Sequence, residues 1–199
     1  MDRDGLGDGV VRATRRVVPL ILAGWLAACA GDPQVPQAAF DLAPAVPHPQ
    51  RPLRAQVHVL DPFAPTDLES DRILVRTGST AAVLAGARWP APLPVLLQAR
   101  LAESLQNAQD LKVDDGRTAA DYNLETEVRA FELDADQKQV VVEFVVKLVS
   151  ARDGHIKAFK TFKTRAPVAS TDPHEVTTAL NGALSSVMAQ IVGFVAASV

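Results

Sequence analysis

Cysteine and histidine are scarce in this chain of 199 residues, and aromatic side chains make up only 5% of it. A single thiol, Cys29, excludes a disulfide within the chain. The four histidines are scattered and do not follow a metal-ligand spacing. They are His48, His58, His155 and His174. These shortages point away from a disulfide-stabilised domain and from a metal centre.

Motifs of enzyme chemistry are also missing. The sequence contains no glycine-rich phosphate loop and no nucleophile elbow, and Ser79 has no histidine near it in sequence. The carboxylates of DLESDR (67–72) are typical of a solvated loop or a helix cap, with a calcium or acid–base site as the alternative. The net charge of −3 gives no reason to propose nucleic acid. We therefore expect no enzyme activity and no cofactor.

The N-terminal apolar run, Val17–Ala28, has only twelve residues. A membrane-spanning helix needs about 20. A short apolar run that follows a stretch with four arginines and ends in small residues is typical of a secretory signal peptide. Residues 1–28 are therefore predicted to be a signal peptide.

Leu26-Ala27-Ala28-Cys29 resembles the lipobox of bacterial lipoproteins. In such proteins the signal is cut before the cysteine, whose thiolate accepts a diacylglyceryl group. The prediction is lipid attachment at Cys29; the alternative is an ordinary cleaved signal with an incidental cysteine. By analogy with bacterial sorting, Ala30 and Gly31 favour the outer membrane over the inner one.

Cleavage would leave 171 residues with 16 basic and 20 acidic side chains, which suits a single domain. Residues 29–52 are rich in proline, which disfavours helix and favours extended chain. We predict that they form a tether that reaches several tens of ångströms, with a proline-rich docking motif as the alternative. The folded domain is then predicted to cover residues 53–199.

Hydrophobic periodicity predicts an α+β fold. Period-two alternation indicates strands at 53–60, 72–78, 81–89, 111–113, 122–133, 140–150 and 156–165. Helical spacing indicates amphipathic helices at 95–109 and from Pro173 onward, the latter capped by Asp172. Short polar turns predict an antiparallel meander for the last three strands. We expect both helices to pack mainly on one face of this sheet, although an end of the second helix meeting a partner or lipid is the alternative.

The predicted strand at 156–165 interleaves lysine with phenylalanine in KAFKTFKTR (157–165). Basic residues beside aromatics suit contact with phospholipid headgroups or an anionic partner. The alternative interpretation is an edge strand that lysine protects from aggregation, and the sequence favours it.

The stretch LESDRILVRTGSTAAVLAGARWPAPLPVLLQARLAESL (68–105) resembles the auxiliary lipoproteins of ABC-type lipid transport systems, the PqiC-like group that accompanies MCE-domain proteins. The similar pieces are Ser70-Asp71-Arg72-Ile73, Ala87-Arg88-Trp89-Pro90, Leu96-Leu97-Gln98 with Leu101, Ala120-Asp121-Tyr122 with Leu124, Phe131, and the terminal helix.

This resemblance implies a non-enzymatic outer-membrane lipoprotein that works in the periplasm. It would dock on an MCE protein, and through it on an ABC permease and ATPase, and help lipids pass between membranes. The candidate contact residues are Asp71, Arg72, Arg88 and Trp89, since Trp and Arg are frequent interface anchors. For Trp89 a core position against the first helix is the alternative. A homo-oligomer is left open.

Two other functions remain open at this point. One is a structural envelope lipoprotein that supports an outer-membrane assembly. The other is a periplasmic carrier that encloses an acyl chain between helix and sheet. A carrier needs an apolar cavity, whereas the two helices have only enough apolar surface to cover one sheet, so docking is favoured.

Overall fold

The computed structural model describes residues 37–45, 55–108, 112–113 and 119–199. The predicted signal peptide and Cys29 lie outside these residues. The described elements are β1 (Ala38–Ala39), β2 (Gln56–Val59), a 3₁₀ turn (Thr66–Leu68), β3 (Arg72–Thr77), β4 (Thr80–Arg88), α1 (Leu93–Asn107), β5 (Lys112–Val113), β6 (Tyr122–Asp134), β7 (Gln139–Ser150), β8 (Ile156–Pro167) and α2 (Pro173–Ser198).

The three long strands β6, β7 and β8 form the predicted antiparallel meander. Val128 of β6 lies opposite Phe144 of β7, and Phe144 lies opposite Phe162 of β8. Directly opposed residues share one face of a sheet, so these three apolar side chains mark one side of the meander. The α+β class is confirmed.

The shorter strands extend the sheet with parallel pairs, which the sequence did not specify. β2 and β3 both pair in parallel with the same edge of β6, through Val57↔Tyr122 and Leu74↔Glu132. β4 pairs antiparallel with β3, and β1 pairs in parallel with β4. The sheet is therefore mixed, with the meander as its largest part.

The helices pack on the face of the sheet that carries the five even-numbered residues of β7 from Val140 to Leu148. Those five side chains are at most 2% exposed: Val140, Val142, Phe144, Val146 and Leu148. The buried stripe of α2 is equally inaccessible, at 2% exposure or less: Val176, Leu180, Ala183, Leu184, Val187, Met188, Ile191, Val192 and Val195. The space between α2 and the meander is thus filled by side chains of both.

The start of α2 follows the predicted cap. The Asp172 carboxylate accepts hydrogen bonds from the backbone N–H groups of His174 at 3.0 Å and Glu175 at 3.1 Å, and Pro173 occupies the first turn. The Glu175 carboxylate accepts a hydrogen bond from the Ser170 hydroxyl at 2.6 Å and another from the backbone N–H of Ala169. Mainly through the Ser170 bond, the pKa of Glu175 is lowered.

Among the described residues, α2 is the one helix whose length and mean hydropathy would allow it to cross a membrane. A core helix of a folded domain meets the same criteria. The ring of Phe194 on α2 also contacts that of Phe162 on β8 edge to face, at 5.7 Å between centroids. These contacts and the buried stripe identify α2 as a core helix of this domain.

The folded part begins earlier in the chain than the predicted boundary at Leu53. Leu42 and Ala45 are only 2% and 1% exposed, and β1 belongs to the sheet. Part of the predicted tether, residues 37–45, is therefore packed on the domain. Proline-rich composition predicts an extended backbone, and Ala38–Ala39 form a strand, but composition does not reveal the partners on which the segment packs.

Candidate docking surface

One end of the β3–β4 pair brings together the four candidate contact residues. Asp71 and Arg72 enter β3, while Arg88 ends β4 and Trp89 follows it. The Trp89 N–H donates to the Asp71 carbonyl at 2.7 Å, and the Arg88 Nη1 lies 3.4 Å from an Asp71 carboxylate oxygen. Residues that are 17 positions apart in sequence thus form one corner of the molecule, which we call the β3–β4 corner.

The β3–β4 corner is also fixed to α1. The N–H of Leu93, the first residue of α1, donates to the Ser70 carbonyl at 3.1 Å. The Ser70 hydroxyl accepts a hydrogen bond from the Arg72 N–H at 3.2 Å. Sheet and helix therefore hold the corner's backbone in one arrangement, as a pre-formed interface requires.

Trp89 is buried, with 1% of its surface exposed. Its ring contacts Phe131 of β6 edge to face at 5.7 Å between centroids, and Phe131 in turn stacks on Phe144 at 6.5 Å. A side chain with so little accessible surface has nothing to offer a partner, so the assignment of Trp89 as a contact residue is corrected to its alternative, a core position. Trp89 is part of the core on which the β3–β4 corner rests.

A backbone irregularity explains why the side chain of Trp89 points inward. The register between β3 and β4 shifts between Leu74↔Val83 and Arg72↔Arg88. Within this bulge Gly86 has φ +76°, a conformation that side-chain-bearing residues rarely adopt. A bulge re-aims the residues that follow it. The prolines that flank Trp89 in the sequence did not indicate that its side chain points into the core.

Asp71, Arg72 and Arg88 are the accessible part of the β3–β4 corner. The side chains of Asp71 and Arg88 are 39% and 47% exposed, and Arg72 is exposed as well. An ion pair this exposed adds little stability, about 0–1 kcal/mol, so its atoms are free to exchange partners at low cost. Two guanidinium groups with one carboxylate suit a partner surface that carries carboxylates.

Two carboxylates of the acidic stretch 67–71, those of Asp67 and Asp71, form ion pairs with different arginines. Asp67 lies 3.5 Å from Arg76, Asp71 pairs with Arg88, and Arg76 also contacts Glu132 at 2.8 Å. The hydrogen bond to Glu132 raises the pKa of Arg76 above its ordinary value. Across the ranges that the structure describes, no group of three or more His, Cys, Asp or Glu side chains is arranged to hold a metal ion.

A second exposed area lies on the sheet face opposite the helices. Phe63 and Phe159 are 69% and 72% exposed, and a shallow hollow of about 160 Å³ beside Phe63 is lined by Glu125, Thr126, Glu127, Val145 and Lys147. Phe63 forms an isolated parallel bridge with Glu127. Sequence reasoning missed Phe63, because it lies in an irregular segment with no periodic signal.

β8 pairs with β7 and forms an edge of the sheet in the described part of the chain. Its cations, Lys157, Lys160, Lys163 and Arg165, are exposed, and the Lys160 ammonium lies 5.2 Å from the ring centroid of Phe162. This position agrees with the edge-protection interpretation of KAFKTFKTR. The two phenylalanines differ: Phe162 is buried and Phe159 is exposed.

A family model described as "ABC-type transport auxiliary lipoprotein component" matches residues 40–192, well over half of the chain. No curated protein matches the chain. Among solved structures, protein XCC0632 from Xanthomonas campestris is similar at 29% identity and a TM-score of 0.69, covering 81% of this chain and 94% of that one.

Two further structures are similar in fold. An uncharacterized protein aligns at 15% identity with a TM-score of 0.67, covering 80% of this chain and 99% of its own. The hypothetical protein CT253 from Chlamydia trachomatis aligns at 12% identity with a TM-score of 0.55, covering 73% of this chain and 98% of its own. The family match begins at residue 40, inside the packed segment 37–45.

Proposed function

This chain belongs to the ABC-type transport auxiliary lipoprotein component family, and from this premise we propose that it serves an MCE-type lipid transport system as its outer-membrane-anchored periplasmic lipoprotein. Cys29 carries the lipid. The folded domain docks on the MCE protein and so couples the ABC permease and ATPase to the outer membrane. The role is binding rather than catalysis.

The proposed contact surface is the β3–β4 corner, and the observation that carries it is the rigid convergence of Asp71, Arg72 and Arg88. The Trp89 N–H donates to the Asp71 carbonyl, and the Leu93 N–H donates to the carbonyl of the neighbouring Ser70, while the three side chains remain exposed. Arginine forms two parallel hydrogen bonds with a carboxylate, which favours an acidic surface on the partner. Ordered backbone with free charged side chains lowers the entropic cost of docking.

The carrier alternative is not supported by the packing. A carrier for an acyl chain needs an apolar cavity of about 300 Å³ or more. The facing side chains of β7 and α2 are at most 2% exposed and fill the layer between sheet and helix. An acyl chain would have to displace that core, whereas docking at the β3–β4 corner displaces only an exposed ion pair.

The test is a crosslinked pull-down of the lipidated protein from native envelopes, with mass spectrometry of the bound proteins and lipids. The wild-type chain is compared with Arg72→Glu and with the control Arg152→Glu, which reverses an exposed charge in the turn between β7 and β8. We expect an MCE protein with its ABC subunits in the wild-type and control samples. Arg72→Glu should lower this recovery at least tenfold, equivalent to about 1.4 kcal/mol.

Two results would count against the proposal. Recovery of only outer-membrane or cell-wall proteins would favour the structural lipoprotein. Equal loss of the MCE protein in both variants would remove the β3–β4 corner as the contact surface, because it would show a general charge effect.

A further inference from the structure

Residues 37–45 form a short extended segment on the surface of the domain, which we call the N-terminal strap. β1 within it pairs in parallel with β4, Ala38 beside Ala87 and Ala39 beside Arg88. The Phe40 N–H then donates to the Arg88 carbonyl at 2.9 Å. The strap thus occupies part of the sheet edge that β4 would otherwise expose.

Beyond β1 the strap contacts both helices. Asp41 forms an ion pair with Arg100 of α1 at 2.8 Å, and the Ala43 N–H donates to Asn181 Oδ1 of α2 at 2.9 Å. The hydrogen bond to Asp41 raises the pKa of Arg100. These contacts tie the strap to two elements that are distant in sequence.

The end of the strap is buried. The Ala45 N–H donates at 2.8 Å to Ser104 Oγ, whose residue is 0% exposed, and Ala45 itself is 1% exposed. Leu42 is 2% exposed and belongs to the hydrophobic core. A backbone donor satisfied by a buried hydroxyl is costly to release, so the strap is held as firmly as an internal element.

The packed strap shortens the connection between Cys29 and the fold. Without it the predicted tether would run over residues 29–52, which is 24 residues; with it only residues 29–36, eight residues, precede the first fixed position at Gln37. A chain spans at most about 3.6 Å per residue. Eight residues therefore bridge at most about 29 Å, a third of the reach predicted from composition.

We propose that the N-terminal strap holds the domain against the membrane that carries it, with the β1–β4 side no more than about 29 Å from the lipid surface. This inference rests on the proposed lipid at Cys29. The folded domain of the lipidated protein then stays close to the membrane that holds its lipid. Its partner must come to it across the periplasm.

Hydrogen exchange on the lipidated protein in phospholipid vesicles tests whether the strap is docked. The Phe40 and Ala45 amides should exchange at least about 100-fold more slowly than an unstructured reference peptide, because each is hydrogen-bonded and Ala45 is buried. The same protection is expected in unlipidated Cys29→Ala protein. Exchange at the reference rate in both forms would overturn the proposal, whatever the state of Cys29.

Neutron reflectometry of the lipidated protein on a supported bilayer tests the reach. Insertion of a 16-residue Gly-Ser segment between Pro36 and Gln37 restores the 24-residue length without touching the fold. The span of a random-coil chain grows with the square root of its length, so the mean gap between lipid and protein should rise about 1.7-fold. The same insertion after Gly154, in the turn between β7 and β8, is the matched control and should leave the gap unchanged.

Releasing the strap without lengthening the chain should have the same effect as the insertion. Leu42→Asp places a charge at a buried strap position, and the gap should widen to match the insertion variant while α2 keeps its slow exchange. A wild-type gap as wide as that of the insertion variant would overturn the proposal. If the pull-down recovers no MCE protein but the wild-type gap stays narrower than that of the insertion variant, only the proposed MCE partner is discarded.

Discussion

Replacement of Trp89 by alanine should destabilise the domain rather than only weaken docking. Trp89 is 1% exposed and contacts Phe131 edge to face at 5.7 Å. Truncation of a buried Trp to Ala typically costs about 3–5 kcal/mol, through lost burial and the cavity that remains. Domains of this size are stable by about 5–15 kcal/mol, so the variant should fold but lie much closer to its unfolding transition.

The expected shift is large enough for routine measurement. For a domain of about 150 residues each kcal/mol moves the Tm by about 2–4 °C, which gives a fall of about 6–20 °C for Trp89→Ala. Thermal unfolding followed by circular dichroism measures this fall in Tm, and urea unfolding followed by the same signal gives the free energy of unfolding. Tryptophan fluorescence is unsuitable because Trp25 lies in the predicted signal peptide, so Trp89 would be the only tryptophan of the cleaved chain and the substitution would remove it.

Two control variants separate core packing from surface effects. Trp89→Phe keeps a ring beside Phe131 and should lose less than half of the free energy lost by Trp89→Ala. Val95→Ala removes a side chain that is 57% exposed on α1 and should change the free energy of unfolding by no more than about 0.5 kcal/mol. A loss below about 1 kcal/mol for Trp89→Ala would refute the core assignment and return Trp89 to the contact surface.

Two further predictions concern the lipid anchor and the cap of α2. Cys29→Ala should leave the urea midpoint unchanged but move the protein from the membrane fraction to the soluble fraction; membrane retention would refute lipidation at this residue. Glu175→Gln should be less stable than wild type at neutral pH, because the lowered pKa of Glu175 means that its charged form stabilises the fold. This difference should disappear as the pH falls below the ordinary glutamate value of 4.5 and through the folded-state pKa; urea midpoints that differ equally at every pH would contradict it.

The meander and α2 could be predicted because their signals are local. The even positions of β7 from Val140 to Leu148 are all apolar, and α2 combines an N-cap at Asp172 with a continuous apolar stripe. Such patterns specify which face of an element is buried and need no knowledge of its partner. For the same reason the sequence did not reveal that β2 and β3 join β6 in parallel, since pairing between distant strands leaves no local period.

The two features that the sequence placed incorrectly depend on contacts between distant residues. The N-terminal strap is held by Arg100, Ser104 and Asn181, and nothing in the proline-rich composition of residues 29–52 indicates these partners. Trp89 is turned inward by the register shift around Gly86. Composition and spacing give the conformation of such segments, whereas their burial is decided by the rest of the fold.

The strap and the β3–β4 corner meet at one residue, and this constrains how the proposed partner is engaged. Ala39 lies beside Arg88 in the sheet, and the Arg88 carbonyl accepts the hydrogen bond from Phe40, while the Arg88 side chain belongs to the corner. Neighbouring strands lie about 4.8 Å apart, so the proposed contact surface sits beside the attachment of the strap. If eight residues link that attachment to the lipid, a protein docked at the corner is held within a few tens of ångströms of the membrane. Lengthening the connection should then leave binding to the isolated partner intact but separate the bound partner from the membrane.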